Sequence, residues 1–145
     1  MLHRVFLASD LITAEQRMKN AYPDALHGCD SFRDTVAAEL SALAKGDLGV
    51  FPLRNLDFGT ISHFRKAVLH LLSGVLRGET ISYGKLGEKA GYPRAGRAIG
   101  NVMSINPFPL IIPCHRVVRA DGSVGSYQGG TAMKMYLLEV ESDRK

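Results

Sequence analysis

Ser82-Tyr83-Gly84-Lys85-Leu86-Gly87-Glu88-Lys89-Ala90-Gly91-Tyr92-Pro93-Arg94-Ala95-Gly96-Arg97-Ala98-Ile99-Gly100-Asn101-Val102-Met103 reads as a helix, a tight glycine turn and a second helix. Ser82 can cap a short helix carrying Leu86 and Ala90, and Gly91 stops it. Pro93 suits the first turn of the next helix, where its missing N–H removes no bond. On that second helix Ile99, Val102 and Met103 form an apolar stripe, while Arg94, Arg97 and Asn101 fall on another face at spacings of three and four. Gly96, Ala98 and Gly100 are small, although an interior glycine costs about 1 kcal/mol relative to alanine. Such residues permit either tight helix packing or close approach to a nucleic-acid groove. The arginines favour the groove.

Working outward, Phe64, Val68, Leu71, Leu72 and Val75 recur at helical spacing between Ser62 and Leu76, predicting a core helix that ends at Gly78. Phe51 to Gly59, with Pro52 and a terminal glycine, reads as a linker. Before it, Asp30 and Ser31 can cap a helix with Phe32, Val36, Leu40 and Leu43 on one stripe, stopping at Gly46. Thr13-Ala14-Glu15-Gln16 matches a capping box, and Arg4 to Ser9 suits a short strand. On the other side, Leu110 to Ile112 and Arg116 to Val118 suit extended backbone, and Ala120-Asp121-Gly122-Ser123 signals a turn. A loop follows over residues 125–130. Thr131 is a candidate cap for a last helix, in which Lys134, Met135 and Leu138 precede Glu141 on neighbouring faces. The order of elements predicts an α+β chain in two parts: a small N-terminal α/β portion over residues 1–57 and a helical portion over residues 58–145.

Within the second part, Ile112-Pro113-Cys114-His115-Arg116-Val117 sets a thiol beside an imidazole in an otherwise apolar run. A lone cysteine most often just fills a buried strand. A neighbouring imidazole or cation, however, is the usual means of lowering a thiol pKa from about 8.5 into the working range of a nucleophile. In extended backbone adjacent side chains point to opposite sides. His115 would therefore take the Cys114 proton through a bridging water, leaving an imidazolium that needs a stabilising anion.

Taken together, Ile81-Ser82-Tyr83-Gly84, Arg94 to Asn101, Asn106-Pro107, Pro113-Cys114-His115-Arg116-Val117 and Gly129-Gly130 occur in this order between Gly59 and Glu141. In that arrangement they closely resemble the DNA-binding half of the O6-alkylguanine-DNA alkyltransferases. The resemblance implies a shortened ribonuclease-H-like N-terminal portion, followed by a winged-helix-like domain with a helix-turn-helix. It implies minor-groove binding, flipping of the damaged nucleotide, and one irreversible transfer of an alkyl group from guanine O6 to Cys114, with no cofactor. Glu141 is implied as the carboxylate behind His115, and Tyr83 as the acid that protonates the departing guanine. Asn106 is implied as a brace near Cys114, though asparagine before proline is also an ordinary helix terminator. Arg97 is implied to enter the base stack, although it can equally serve a phosphate alone. Arg94, Ala98, Gly100 and Asn101 are implied along the DNA face, and Met103, Pro109, Val117, Tyr127 and Gln128 around the base. The carbonyls of Cys114 and Val117 would accept from the guanine amino group. Two departures stand out: Gln128 replaces a residue that is often a small hydroxyl, and Ile105 one that is often small. The N-terminal portion is also short for the family.

The charge is uneven, with 6 Lys/Arg against 8 Asp/Glu in residues 1–59 but 12 against 6 in residues 60–145. A basic excess in one part suits a phosphate backbone, and on charge alone equally suits a solvated surface. With Cys29 and Cys114 as its only cysteines, the chain carries no disulfide framework and no zinc-ligand spacing, so no metal is expected. The lack of a long apolar stretch or secretory leader leads to an expected cytoplasmic, nucleoid-associated location. The expected partner is double-stranded DNA containing O6-alkylguanine, with no membrane and no obligate protein partner, and the expected state is a monomer. Three other readings compete. A non-enzymatic flag for alkylated DNA would not need the cysteine. A cysteine hydrolase leaves the basic helices unexplained, and a plain helix-turn-helix regulator leaves Pro-Cys-His-Arg unexplained.

Overall fold

The computed structural model describes residues 1–8, 12–24, 31–47 and 51–142. Ser9, Cys29 and Asp30, which entered the readings above, lie outside these residues. The described chain is helix-rich with one small parallel sheet: helices α1 (Ala14–Ala21), α2 (Ser31–Ala44) and α3 (His63–Ser73), strand β1 (Ile81–Ser82), helices α4 (Tyr83–Lys89) and α5 (Gly96–Ser104), strand β2 (Val117–Val118) and helix α6 (Thr131–Ser142). Single 3₁₀ turns occupy Leu53–Asn55 and Cys114–Arg116. In the sheet Ile81 lies opposite Val117 and Ser82 opposite Val118. This sheet sets the start of α4 beside the segment that carries Cys114.

Local chemistry explains the helix starts. Thr13 and Gln16 form the capping box of α1 in both directions. Ser62 caps α3, and Ser82 caps α4 by accepting from the Lys85 N–H at 3.2 Å. α3 ends at Gly74, short of Gly78, and it buries Val68, Leu69 and Leu72 while Leu71 is 40% exposed. The stripe is thus rotated from the expected one, since helical spacing from Val68 and Leu72 admits either leucine.

Between α4 and α5 the turn is more specific than its pattern suggests. Gly91 has φ +83°, a conformation that favours glycine, and a Cβ on Gly87 would stand 3.0 Å from the Tyr92 carbonyl, so a side chain there would press on the turn. Tyr92 N–H bonds to the Gly87 carbonyl, and Ala95 N–H to the Tyr92 carbonyl. Those bonds close the turn before α5 begins, so Pro93 lies in the turn and Arg94, at φ +67°, stands outside the helix. Arg94 therefore does not share the helical face of Arg97 and Asn101.

Three other expectations are corrected. Residues 4–8 form no strand: Leu2 alone bridges to Leu56, and the Val5 N–H reaches the Pro107 carbonyl at 2.7 Å. Leu110 to Ile112 is a turn rather than extended, with Leu110 at φ +72° and Ile112 N–H bonded to the Phe108 carbonyl. In α6, Thr131 is the first helical residue, and the inward positions are Lys134, Leu137 and Glu141, with Met135 exposed. The segment from Phe51 to Gly59 also does more than link. Phe51 and Leu56 are buried in the same cluster as Val36, Leu69, Leu72 and Phe108, and full burial of each such side chain is worth about 1.5–3 kcal/mol. Cys114 belongs to the same buried cluster.

Candidate active site

Cys114 opens the 3₁₀ turn ahead of β2 and is 2% exposed. Asn106, at the end of α5, holds the loop leading to it: Nδ2 donates to the Ile112 carbonyl at 2.9 Å, and Oδ1 accepts from the Phe108 N–H at 3.0 Å. Burial pushes the thiol up to about 11, against the smaller opposing effects of the Asn106 hydrogen bond and the Lys134 charge. The resting sulfur is therefore a protonated thiol, contrary to the lowered pKa that the neighbouring imidazole suggested. A direct consequence concerns small soft electrophiles. Iodoacetamide should label Cys114 slowly at neutral pH, with a rate rising about tenfold per pH unit while pH stays below the thiol pKa. Peptide mass mapping across pH 7 to 9 measures this, and a flat profile would contradict the burial argument.

His115 lies in the same 3₁₀ turn and is 2% exposed. Its Nε2 sits 2.9 Å from Glu141 Oε1. Burial moves its pKa below the ordinary histidine value, opposed by the Glu141 hydrogen bond. The ring is thus neutral at pH 7, with the Nε2 proton donated to the carboxylate. Its Nδ1 is buried and has no partner among the described residues. That leaves a free lone pair able to take a proton, with an anion behind it to stabilise the product imidazolium. Glu141 itself is held ionised at about 2, because the His115 and Arg116 hydrogen bonds outweigh its burial.

Sequence reasoning gave Arg116 no role, yet it fixes that carboxylate. Its Nε donates to Glu141 Oε2 at 2.9 Å, its Nη2 to Oε1 at 2.7 Å, and its Nη1 to the Val75 carbonyl at 2.6 Å. The signal was present, since a buried glutamate needs a second donor besides a neutral histidine. Lys134 was placed only near Glu141. It is fully buried, its Nζ donates to the Val117 carbonyl at 2.6 Å, and it stands 5.9 Å from the centre of the Tyr83 ring. Burial lowers its pKa to about 8.

Of the residues expected around the base, Met103, Tyr127 and Gln128 do line a cavity with Cys114, together with Tyr83, Gly100, Ser104 and Ser126. Pro109 and Val117 do not. Both are buried, the Val117 carbonyl is occupied by Lys134, and the Cys114 carbonyl accepts the Val117 N–H. The cavity measures about 110 Å³, less than the roughly 150 Å³ that admits benzene in an engineered core. Tyr127, one of its lining residues, has a hydroxyl buried without a partner among the described residues. Tyr83, Gly100, Ser104 and Ser126 also line an open groove of about 660 Å³ with Gly96, Arg97, Asn101 and Arg119. A flat ring entering from the groove would meet Cys114 only after displacing part of this wall.

The groove decides between the two uses of small residues on α5. A Cβ added at Gly96 or Gly100 would meet nothing within 4 Å, so neither glycine serves packing within the protein. Arg97, Gly100 and Asn101 line the groove, joined by Arg119, which the sequence reading missed because it lies on a separate turn. Arg94 and Ala98 do not line it. Ile105, for its part, ends α5 at φ −118°, a conformation open to any residue.

Known proteins of similar sequence and fold agree with this picture. Residues 63–143 match the family model described as 6-O-methylguanine DNA methyltransferase, DNA binding domain. The chain is similar to the methylated-DNA--protein-cysteine methyltransferase of Methanothermobacter thermautotrophicus, at 45% identity over 63% of this chain and 51% of that protein. It is also similar to the protein of the same name from Methanosarcina mazei, at 33% identity over 98% of this chain and 92% of that one. Among solved structures, OGT of Mycobacterium tuberculosis in complex with DNA superposes with a TM-score of 0.69 and 38% identity, over 75% of this chain and 65% of that one. The chain spans only about half the length of several relatives, such as the Methanothermobacter protein at 51%.

Proposed function

The chain belongs to the 6-O-methylguanine DNA methyltransferase family, and on that premise we propose that it repairs duplex DNA by moving an alkyl group from guanine O6 to Cys114. The observation that carries this reading is a buried thiol in a cavity that shares Tyr83, Gly100, Ser104 and Ser126 with a basic groove, next to a neutral imidazole whose Nδ1 has no partner among the described residues. Sulfur attacks the alkyl carbon, the C–O6 bond breaks, the thiol proton passes to His115 directly or through water, and guanine leaves with a proton from Tyr83. Burial raises the pKa of Tyr83, which keeps its hydroxyl a donor. A thioether is not displaced under these conditions, so each molecule acts once. On this reading residues 1–57 are a reduced ribonuclease-H-like portion, whose described residues keep helices and the Leu2–Leu56 bridge but no strand, and residues 58–145 are a winged-helix-like domain. The working state on this reading is a monomer on DNA in the cytoplasm.

A duplex hides its base edges, so the nucleotide must swing out at a cost of a few kcal/mol. Arg97, exposed on the groove side of α5, is placed to fill the gap. Arg97→Ala is expected to slow repair of duplex more than reaction with the free modified base, in paired rate measurements; equal losses would remove Arg97 from this role. Gly100→Ala offers a second separation. It should raise stability by about 0.5–1 kcal/mol through helix propensity, yet slow duplex repair because its methyl group stands in the groove. Thermal melts and rates on one duplex decide it, and an unslowed, stabilised variant would move the DNA off this face.

The proposal as a whole is tested by intact mass before and after mixing with duplex carrying one O6-methylguanine. One methyl on the Cys114 peptide is expected. DNA binding with an unchanged mass would favour the flag reading instead.

A further inference from the structure

We infer that Gln128 is a partition that limits the size of the alkyl group this site accepts, an inference that rests on the transfer reading above. Gln128 and Ser104 are the two residues that line both the 110 Å³ cavity at Cys114 and a separate, open cleft of about 410 Å³. That cleft lies beyond them, between α1 and the end of α5, and includes Arg4, Phe6 and Asn20. Serine is short, so the glutamine side chain makes the bulk of the division.

Gln128 is also held in place. Its Nε2 donates to the Asn106 carbonyl at 2.9 Å and to the Met103 carbonyl at 3.2 Å. Met103 lies in the last turn of α5, where its carbonyl also accepts from backbone N–H groups, and Asn106 follows the helix just past its end. The side chain thus ties the loop over residues 125–130 to the end of α5 and stands between the two hollows. Two hydrogen bonds to backbone make a wall that a longer adduct cannot push aside freely. A methyl group fits on the cavity side. A longer arm, reaching past the sulfur as its first carbon is attacked, meets the glutamine. With that side chain shortened the cavity and the cleft become one, and the arm has somewhere to go.

The test compares single-turnover rates on two duplexes of one sequence, containing O6-methylguanine or O6-butylguanine, for the wild type, Gln128→Ala and Gln128→Met. In each case the alkyl carbon leaves O6 for Cys114 sulfur, so intact mass reads both reactions. Gln128→Ala should raise the butyl-to-methyl rate ratio roughly tenfold or more, the scale set by steric fit of methylene groups in a pocket. Gln128→Met retains the bulk without the amide and should leave the ratio near that of the wild type. An unchanged ratio in the alanine variant overturns the inference, as does an equal rise in both variants, which would make loop tethering rather than bulk the cause. Should the alanine variant be too unstable to assay, a rise in the methionine variant still overturns it, and an unchanged methionine ratio together with a rise in Gln128→Ser supports it. Absence of transfer by the wild type from the O6-methylguanine duplex instead defeats the transfer reading itself.

Discussion

Cys114→Ser is expected to leave the fold and duplex binding intact while ending methyl transfer, with a rate loss on the order of 10⁶-fold, as when other covalent nucleophiles are removed. Serine has nearly the same shape, and position 114 lies at the back of the cavity rather than on the groove that would meet phosphates. The size of the loss follows from how the thiol is held. With its pKa near 11, roughly one Cys114 in 10⁴ is thiolate at pH 7, so the site does not rest on a preformed anion. Attack and proton removal have to be coupled. A neutral His115 with a free Nδ1 can take that proton as the S–C bond forms, and Glu141 then faces the resulting imidazolium. Sulfur tolerates this arrangement because it is nucleophilic even when weakly ionised. A hydroxyl is a far weaker acid and would need a stronger base than an imidazole whose pKa burial has lowered. The measurement is intact mass over a long incubation with methylated duplex, beside a binding titration. Methyl transfer to the serine variant, or to another residue of the wild type, would sink the assignment of the nucleophile.

Much of the site was legible in the sequence because its parts are local. Ser82, the glycine turn and the inward stripe of Ile99, Val102 and Met103 are fixed by contacts within a few residues, and all stand where the pattern put them. The proline-flanked thiol and imidazole were legible as chemistry, but not as geometry. Leu110 to Ile112 is apolar and partly β-branched, which reads as extended, whereas it forms a turn that Asn106 braces by bonding to the Ile112 carbonyl and the Phe108 N–H. Local propensity yields there to a tertiary contact. The direction of the Cys114 shift was missed for the same reason: adjacency in sequence suggested an activating imidazole, and only burial shows that desolvation dominates. Arg116, Lys134 and Arg119 were missed as site residues because their partners, Glu141, Val117 and the α5 groove, are brought near by the fold. The glycines of α5 posed a choice between packing and access that only the empty space around Gly96 and Gly100 decides.

Arg116→Met should destabilise the protein by about 3–5 kcal/mol at pH 7, the usual cost of stranding one member of a buried ion pair. For a chain of this size that lowers the melting temperature by roughly 10 °C. Arg116 supplies three hydrogen bonds, two to Glu141 and one to the Val75 carbonyl at the end of α3. Methionine can fill the space but offers no donor, and lysine should rescue poorly because a single ammonium cannot reproduce the planar fork. The pH dependence identifies the cause. Glu141 is held at about 2, below its ordinary value of 4.5, so its contribution is fully present above about pH 4.5 and fades as pH falls towards 2. In the variant the main support for the ionised carboxylate besides His115 is gone, and its pKa rises. Protonation then relieves the stranded group, so the gap between wild type and variant should be widest near neutral pH and narrow below pH 4.5. Urea melts at pH 7 and pH 3 read this directly. A loss under about 1 kcal/mol at pH 7, or an equal loss at both pH values, would show that the guanidinium acts by packing alone. If the ion pair is the cause, methyl transfer should also slow, because Glu141 would lose the orientation that holds the Nε2 proton of His115 and leaves Nδ1 free to accept another.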